Sequence, residues 1–279
     1  MPGASDRVPI GSANHQQGVL KVATWNVNSL RVRLPQLLDW LERAAPDIVG
    51  LQETKVADEE FPVAQLAAAG YRAVFVGQRT YNGVALLSRE PPGAPLLALP
   101  GRLQDEQKRF VAARFGALDV VCAYVPNGSE VGSDKYAYKL GWLEDLRRYL
   151  QALLRESPKV LVMGDFNIAP ADIDVHDPVA WQGQVLVSDP ERAALAGIMA
   201  LGLHDTFRHL NPDLRAFTWW DYRAAAFRRD HGLRIDHILA STPLLGACRA
   251  CRVELDLRRA ERPSDHAPVL LELDAAALA

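Results

Sequence analysis

The sequence has few cysteines, no long apolar run and no excess of positive charge. Three cysteines in 279 residues cannot all pair, so a disulfide framework is excluded and a reduced, intracellular setting is expected. Cys248 and Cys251 form a C-x-x-C, but no second ligand pair lies nearby, which argues against zinc or redox use. Cys122 lies within an apolar strand pattern and is expected to be inert core.

The absence of long apolar runs excludes a predicted membrane span, which needs about 20 consecutive apolar residues. Residues 1–18 are polar and contain no apolar segment of the kind found in a secretory signal. We therefore expect a loose N-terminal tail at 1–18, a single domain at 19–279 and a cytoplasmic protein. The formal charge of −3 argues against general affinity for polyanions, so a nucleic acid would need a local basic patch.

The patterns that are present predict an α/β fold. Helical spacing of leucines predicts helices at 31–45 and 135–156, and a capping box at Ser188 starts a third helix that Gly202 ends. No repeat and no linker divides the chain, and the helices interrupt the strands without a strict βαβ rhythm. A two-sheet core with outer helices therefore fits better than a Rossmann fold or a barrel. Strands are predicted at 20–28, 47–53, 73–77, 83–89, 109–115, 118–126, 159–165, 217–222, 233–240, 252–257 and 267–273.

The apolar run 159–163 ends in Gly164-Asp165-Phe166-Asn167. Residues at i and i+2 of an extended chain point the same way, so Asp165 and Asn167 are expected to project from one strand end. A carboxylate can accept a proton from water or bind a metal, and a neutral amide can stabilise an oxyanion. This combination suits phosphoryl chemistry. The alternative interpretation is a strand that simply ends in an Asx-turn.

Other apolar runs also finish in oxygen or nitrogen ligands. Glu53 and Asp265 are suited to Mg²⁺, and Asp236 behind His266 would fix the imidazole tautomer. Each residue alone has a structural interpretation: Asp236, for example, could simply pair with Arg234. The full set of strand-end residues is Asn26, Asn28, Glu53, Tyr124, Asp165, Asn167, Asp236, Asp265 and His266.

Seven ordered segments closely resemble the signatures of the exonuclease III family of apurinic/apyrimidinic endonucleases. They span nearly everything after residue 20, and seven blocks in order are far more specific than any one of them. The resemblance implies a four-layer α/β sandwich like that of deoxyribonuclease I, with the site at one edge of both sheets. The segments are TWNVNS from Thr24, LQETK from Leu51, YVPNG from Tyr124, GDFN from Gly164, WWDY from Trp219, LRID from Leu233 and SDHAP from Ser264.

The resemblance also implies roles for individual residues. Glu53 would be the main ligand of Mg²⁺, with Mn²⁺ as a substitute, and Asp165 would serve as acid/base for water attack. The implied metal-site residues are Asn26, Glu53, Asp165, Asn167, Asp265 and His266. The implied catalytic residues are Tyr124, Asp165, Asn167, Asp236 and His266. The implied DNA contacts are Asn28, Asn127 and the apolar pocket for a flipped abasic sugar, formed by Trp219, Leu233 and Ile235.

The resemblance implies a Mg²⁺-dependent DNA-repair nuclease that cuts duplex DNA 5′ to abasic sites and also acts on blocked 3′ ends. A monomer is expected. Two alternatives remain: a phosphodiesterase of the same superfamily that acts on inositol phosphates or sphingomyelin, and a catalytically silent DNA-binding module. The apolar pocket residues disfavour the first, and the complete ligand set disfavours the second. The loops 129–134 and 171–187 vary in the family, so the balance between endonuclease and 3′-exonuclease activity is left open.

Overall fold

Two β-sheets pack face to face, with helices on both outer faces, in the computed structural model, which describes residues 18–278. The predicted tail at 1–18 therefore lies outside the described residues except for Gly18. The strands are β1 (Val19–Asn26), β2 (Ile48–Gln52), β3 (Arg72–Val76), β4 (Val84–Ser88), β5 (Phe110–Phe115), β6 (Leu118–Tyr124), β7 (Val160–Asp165), β8 (Leu203–Asp205), β9 (Asp236–Ser241), β10 (Cys248–Val253) and β11 (Val269–Asp274).

The helices are α1 (Leu30–Ala44), α2 (Val63–Ala68), α3 (Asp134–Glu156), α4 (Asp189–Met199), α5 (Thr206–Leu210), α6 (Ala226–Arg229) and α7 (Leu255–Arg259). One sheet has the strand order β10-β11-β1-β2-β4-β3, and the other has β5-β6-β7-β9-β8. Within the described residues, none of these helices is long and apolar enough to cross a bilayer.

Three apolar layers hold the sandwich together. The middle layer lies between the sheets and includes Val22, Val120 and Met163. One outer layer packs α1 and α2 on the first sheet, and the other packs α3 and α4 on the second. Each helix and each sheet buries its apolar face against a neighbour, which is why this arrangement is stable. The predicted four-layer α/β sandwich is confirmed.

The strand directions bring the polar strand ends to one edge. β1 runs parallel to β2, and β6 runs parallel to β7, so the carboxyl ends of all four strands reach the same rim. β9 and β11 are antiparallel to their neighbours, so they begin at that rim instead of ending there. Asp236 is therefore the first residue of β9, which corrects the expectation that it ends a strand.

Two strand predictions in the last third of the chain are wrong. Residues 217–222 form no strand, since Trp219 makes only isolated bridges to Leu233 and His266. The segment 252–257 is divided between the end of β10 and helix α7. Both segments have the apolar content of a strand but lie where the chain turns around the rim. β8 was not predicted, because three residues carry too little periodicity to detect.

The buried position predicted for Cys122 is confirmed. All three cysteines are free, and Cys122 is buried between the sheets, where burial raises its pKa to about 12. Cys248 and Cys251 lie in β10. No disulfide is therefore present among the described residues.

Candidate active site

The strand register places three site residues side by side. In the second sheet Tyr124 is paired with Asp165 across β6 and β7, and Asp165 is paired with Asp236 across β7 and β9. Gly164 makes this close approach possible, because a Cβ there would lie 1.8 Å from the carbonyl oxygen of Ala123. The Gly-Asp sequence therefore puts the Asp165 carboxylate at the centre of the rim.

One ligand atom from each of Glu53, Asp165 and His266 lies within 4.8 Å of the others. Asn26 connects the two carboxylates: its Nδ2 donates to Glu53 Oε1 at 2.8 Å and to Asp165 Oδ2 at 2.9 Å. Its Oδ1 accepts the amide of Asn28 at 3.0 Å. In this arrangement Asn26 orients the two carboxylates, and its assignment to the metal site stays a prediction.

The two carboxylates differ in their protonation. Burial raises the pKa of Asp165 to about 7, and the charges of Asp236 and Glu53 add to that increase against the lowering effect of His266. Burial also raises the pKa of Glu53, but the charge of Lys55 and the hydrogen bond from Asn26 more than offset it and lower the pKa overall. Glu53 is thus a permanent carboxylate, whereas Asp165 can exchange a proton near neutral pH.

His266 and Asp236 form a buried dyad. His266 Nδ1–H donates to Asp236 Oδ2 at 2.8 Å, and His266 Nε2 lies 3.8 Å from Asp165 Oδ2. Burial lowers the pKa of His266, but the charges of Asp236 and Asp165 outweigh it and raise this pKa to about 10. With its pKa raised in this way the imidazole carries a positive charge that can attract a phosphate, and the metal-ligand role that the resemblance implies for His266 stays a prediction.

Asp236 does not pair with Arg234, which was the structural interpretation of this residue. Arg234 donates from Nε to Asp174 Oδ1 and from Nη2 to Asp205 Oδ2, both at 2.7 Å. Asp236 is thereby left to His266, and its Oδ1 is buried with no hydrogen-bond partner among the described residues.

Asp165 forms the Asx-turn, and this turn is compatible with the functional interpretation, which stays a prediction. Asp165 Oδ1 accepts the backbone amide of Asn167 at 2.9 Å, which is the Asx-turn. Oδ2 remains directed at the site, where Asn167 Nδ2 approaches it at 3.2 Å. Asn167 Oδ1 accepts from Asn127 Nδ2 at 3.2 Å, so the two asparagines lie together.

Tyr124 lies beside the carboxylates at the end of β6. Burial and the charge of Glu53 raise its pKa well above the ordinary value, so the phenol stays protonated and can donate a hydrogen bond. The guanidinium of Arg109 lies 4.4 Å from the centre of the Tyr124 ring. Beside these residues a cleft of about 480 Å³ is lined by Gln78, Tyr81, Asn82, Gln107, Arg109, Pro126, Asn127, Gly128, Ser129, Lys135 and Tyr138.

Asp265 does not join the group of three ligand atoms. Its Oδ1 accepts from Asn28 Nδ2 at 2.9 Å, and its Oδ2 accepts from the Trp219 indole at 3.1 Å. Both oxygens are therefore engaged by neutral donors. In this structure Asp265 holds Asn28 and Trp219 in place at the edge of the site.

The predicted sugar pocket is apolar but closed. Leu233 is 0% and Ile235 is 1% exposed, and they pack in one cluster with Val175 and Leu186. Trp219 alone among the three predicted pocket residues keeps a partly exposed side chain. The loop 171–187, which was predicted to be irregular, contributes to this cluster.

Two lysines at the site were not assigned from the sequence. Lys55 Nζ donates to Asn28 Oδ1 at 2.6 Å and lies 2.8 Å from Glu53 Oε2. It follows Glu53 by two residues inside the LQETK segment, which was a usable signal. Lys139 lies in a helix whose pattern suggested only an amphipathic face, and no sequence signal distinguished it.

Backbone strain is concentrated at the site. Asn28, Glu53, Lys55 and Asn167 all have positive φ values, of 41°, 51°, 54° and 51°. Such conformations cost of order 1 kcal/mol for residues other than glycine and persist where the surroundings enforce them. The surrounding hydrogen bonds therefore fix the directions of these side chains.

Five functional groups converge at one rim: two carboxylates, a cationic imidazole and two side-chain amides. The pKa of one carboxylate, Glu53, is lowered, and that of the other, Asp165, is raised. The carboxylates of Glu53 and Asp165 are hard oxygen donors of the kind that divalent cations prefer. The imidazolium and the amides can contact a phosphate, and Asp165 can accept a proton from water. Fold and site together define a metal-dependent hydrolase of phosphate esters.

Comparison with known proteins agrees with this class. The Endonuclease/Exonuclease/phosphatase family matches residues 23–266. Exodeoxyribonuclease III of Haemophilus influenzae is 39% identical over 265 residues, which cover 91% of this chain and 99% of that protein. The chain therefore belongs to the endonuclease/exonuclease/phosphatase family and, within it, to the exonuclease III group that the sequence motifs predicted.

Solved structures agree closely in fold. The 3′ phosphatase NExo from Neisseria, bound to a product DNA hairpin, is 43% identical with a TM-score of 0.90, over 91% of this chain and 99% of that one. An AP endonuclease from Archaeoglobus fulgidus is 41% identical with a TM-score of 0.88, over the same shares. These relatives are DNA enzymes, which does not favour the inositol-phosphate or sphingomyelin alternative.

Proposed function

We propose that this protein is a Mg²⁺-dependent DNA-repair nuclease that cleaves the phosphodiester 5′ to abasic sites in duplex DNA and leaves a 3′-hydroxyl. The same site would also remove blocking groups and nucleotides from 3′ ends. The observation that carries the proposal is the convergence of Glu53, Asp165 and His266 within 4.8 Å, with Asp236 behind the imidazole. Relatives named for both abasic-site and 3′-end activities support it.

A divalent cation would be held by the carboxylates of Glu53 and Asp165 and would supply positive charge to the phosphate oxygens. The remaining steps belong to the side chains. The His266 imidazolium attracts the scissile phosphate, and the Asp236 carboxylate keeps the imidazole protonated. Asp165, whose Oδ2 is directed at the site, takes a proton from the attacking water.

The amides and the phenol complete the site. Asn167 Nδ2 faces the same carboxylate oxygen as Asn26, so Asn167 can orient the water and stabilise developing negative charge. Asn127 contacts the phosphate next to Asn167, and the Tyr124 hydroxyl donates a hydrogen bond to that phosphate. Asn28 and Asp265 hold the neighbouring edge.

DNA would approach along the rim, where Arg109 and Lys135 line the cleft beside Asn127. These local cations would offset the net charge of −3. A flipped abasic sugar would meet Trp219 first, with Leu233 and Ile235 beneath it. A sugar without a base is small and breaks no base pair on extrusion, which favours it over an intact nucleotide. We expect a monomeric cytoplasmic protein with one domain at 19–279.

Product mapping on a duplex with a single abasic site tests the proposal. Incision 5′ to the site with a 3′-hydroxyl product, abolished by EDTA and restored by Mg²⁺ or Mn²⁺, is the expected result. An undamaged duplex and a duplex with a 3′-phosphate report the exonuclease and phosphatase shares. Incision that EDTA leaves untouched would overturn the metal requirement.

The Asp165→Asn variant serves as the matched catalytic control. It preserves shape and can still accept the Asn167 amide through its oxygen, but it cannot accept a proton from water. We expect cleavage to fall by about 10³-fold or more, by comparison with the loss of general bases in other hydrolases. Binding of DNA by this variant without cleavage would confirm that the substrate site is intact, whereas wild-type rates would refute the assigned role.

A further inference from the structure

A buried ion pair lies directly beneath the two active-site loops. Lys139 of α3 and Glu191 in the first turn of α4 both have side chains that are 0% exposed. Lys139 Nζ donates to the Glu191 carboxylate, to the carbonyl oxygen of Asn127 at 3.0 Å and to that of Asn167 at 2.7 Å. An ammonium group has three protons, so its full donor capacity is used.

Glu191 is equally engaged. Its Oε1 also accepts the amide of Leu186 at 3.0 Å, and its Oε2 accepts the amide of Ser188 at 3.2 Å and the Ser188 hydroxyl. The Ser188 hydroxyl lies 2.6 Å from that of Tyr136. The network therefore connects helix α3, the start of α4 and the loops that follow β6 and β7.

Packing alone does not explain the lysine. Lys139 occupies the buried face of α3, four residues before Leu143 and seven before Leu146. An apolar side chain would suit that face, because desolvating a charge pair costs several kcal/mol and hydrophobic replacement is often neutral or stabilising. What the lysine adds is a set of donors directed at two carbonyl groups of different loops.

Those carbonyl groups belong to Asn127 and Asn167, whose side-chain amides face the reacting centre. Asn167 has a φ of 51°, and its side chain contacts both Asp165 and Asn127. Beside Asn127, a Cβ on Gly128 would lie 3.0 Å from Lys139 Cδ, so the glycine leaves space for the lysine stem. The lysine thus joins the two loops at the point where they must keep a fixed separation.

We infer that Lys139, charge-paired with Glu191, is a positioning residue that sets the relative placement of the Asn127 and Asn167 side chains at the scissile phosphate. The inference rests on the proposed phosphodiester hydrolysis. Lys139 touches neither substrate nor cation and acts only through the two backbone carbonyls. Its loss should therefore affect the chemical step and leave binding of the cation unchanged.

The double variant Lys139→Met/Glu191→Gln tests the inference without leaving a lone buried charge. The carboxamide introduced by Glu191→Gln keeps one acceptor oxygen for the Ser188 amide at the start of α4, whereas the hydrogen bond from the Leu186 amide is lost. We expect kcat on the best-cleaved DNA substrate to fall at least about tenfold, KM to change less than about threefold, and Mn²⁺ affinity to stay unchanged. Lys21→Met is the control, because Lys21 Nζ also donates to a backbone carbonyl, that of Ala44, away from the site.

A folded double variant with wild-type kcat would overturn the inference. A loss of kcat with an equal loss of Mn²⁺ affinity would also overturn it, and so would a loss of kcat that is recovered at lower temperature. Both outcomes indicate general destabilisation of the protein. Absence of any DNA cleavage by the wild-type protein would instead refute the proposed function. Crystal structures would then decide the inference: separation of Asn127 Nδ2 from Asn167 Oδ1 in the double variant supports it, and an unchanged contact refutes it.

Discussion

Replacing Asp236 by Asn should make activity depend on pH in a new way. The Asp236 carboxylate lies 2.8 Å from His266 Nδ1, and the pKa of this buried histidine is raised from 6.5 to about 10. Burial alone lowers the pKa of His266, so removal of the Asp236 charge should bring this pKa down toward neutral pH or below. Where the imidazole has lost its proton we expect a loss of roughly 10²-fold in rate, which is typical of a positioned proton-bearing group.

The sign of the pH effect follows from the charge of the imidazole. In the wild-type protein His266 stays protonated across neutral pH, whereas in the variant its pKa falls and the imidazole loses its proton as pH rises. The ratio of variant to wild-type kcat/KM should therefore be closest to one near about pH 6 and should decrease toward about pH 8.5.

The assay is kcat/KM on an abasic or 3′-phosphate duplex at a series of pH values, combined with an NMR titration of His266 in the metal-free proteins. Asp47→Asn is the control, because Asp47 Oδ2 accepts the backbone amide of Lys21 just before β2, at the end of the first sheet away from His266. The reasoning would be refuted by a ratio independent of pH, by a loss smaller than about threefold, or by an unchanged His266 titration.

Three further predictions concern stability, the cation and the sugar pocket. In the metal-free protein the raised pKa values of Asp165 (from 3.8 to about 7) and His266 (from 6.5 to about 10) stabilise the fold at low pH, and this stabilisation is lost as pH rises through the folded values. The free energy of unfolding of the wild-type protein minus that of Asp165→Asn, from urea titrations, should fall between about pH 5 and pH 9, since this difference removes the opposite contribution of His237, and a rise would contradict this assignment. Glu53→Gln should weaken Mn²⁺ binding at least about tenfold with little change in melting temperature, because Glu53 lies at the end of a strand. Calorimetry measures the Mn²⁺ affinity and the melting temperature, and a large loss of stability would indicate a structural role. Trp219→Ala should reduce abasic-site incision more than 3′-phosphate removal, and equal losses would refute the pocket assignment.

Much of the candidate site was predictable because buried strands have a strong local signature. The run before Asp165 is completely buried in β7, and the segment before Glu53 is completely buried in β2. Apolar residues fill such strands, so the first polar residues after them mark the rim. The ordered motifs then identified the family without knowledge of any contact.

Other features depended on partners distant in sequence. The pairing of Asp236 with His266, and not with Arg234, was decided by Asp174 and Asp205, which take the guanidinium. The sequence alone allowed both pairings. The residues assigned to the metal from motifs also divided into different tasks, since Asp265 is held by neutral donors away from the ligand group.

By itself the sequence determined most of the strands, the main helices and the list of reactive groups, because these follow from local periodicity and from side-chain chemistry. Tertiary structure alone decided which groups touch and what charge they carry. Lys139 shows the difference: its helical position indicates nothing about the two carbonyls beneath the site, which come from loops 12 and 28 residues away. Hydrogen bonds and pKa values are set by neighbours in space, and these exist only once the two sheets have packed.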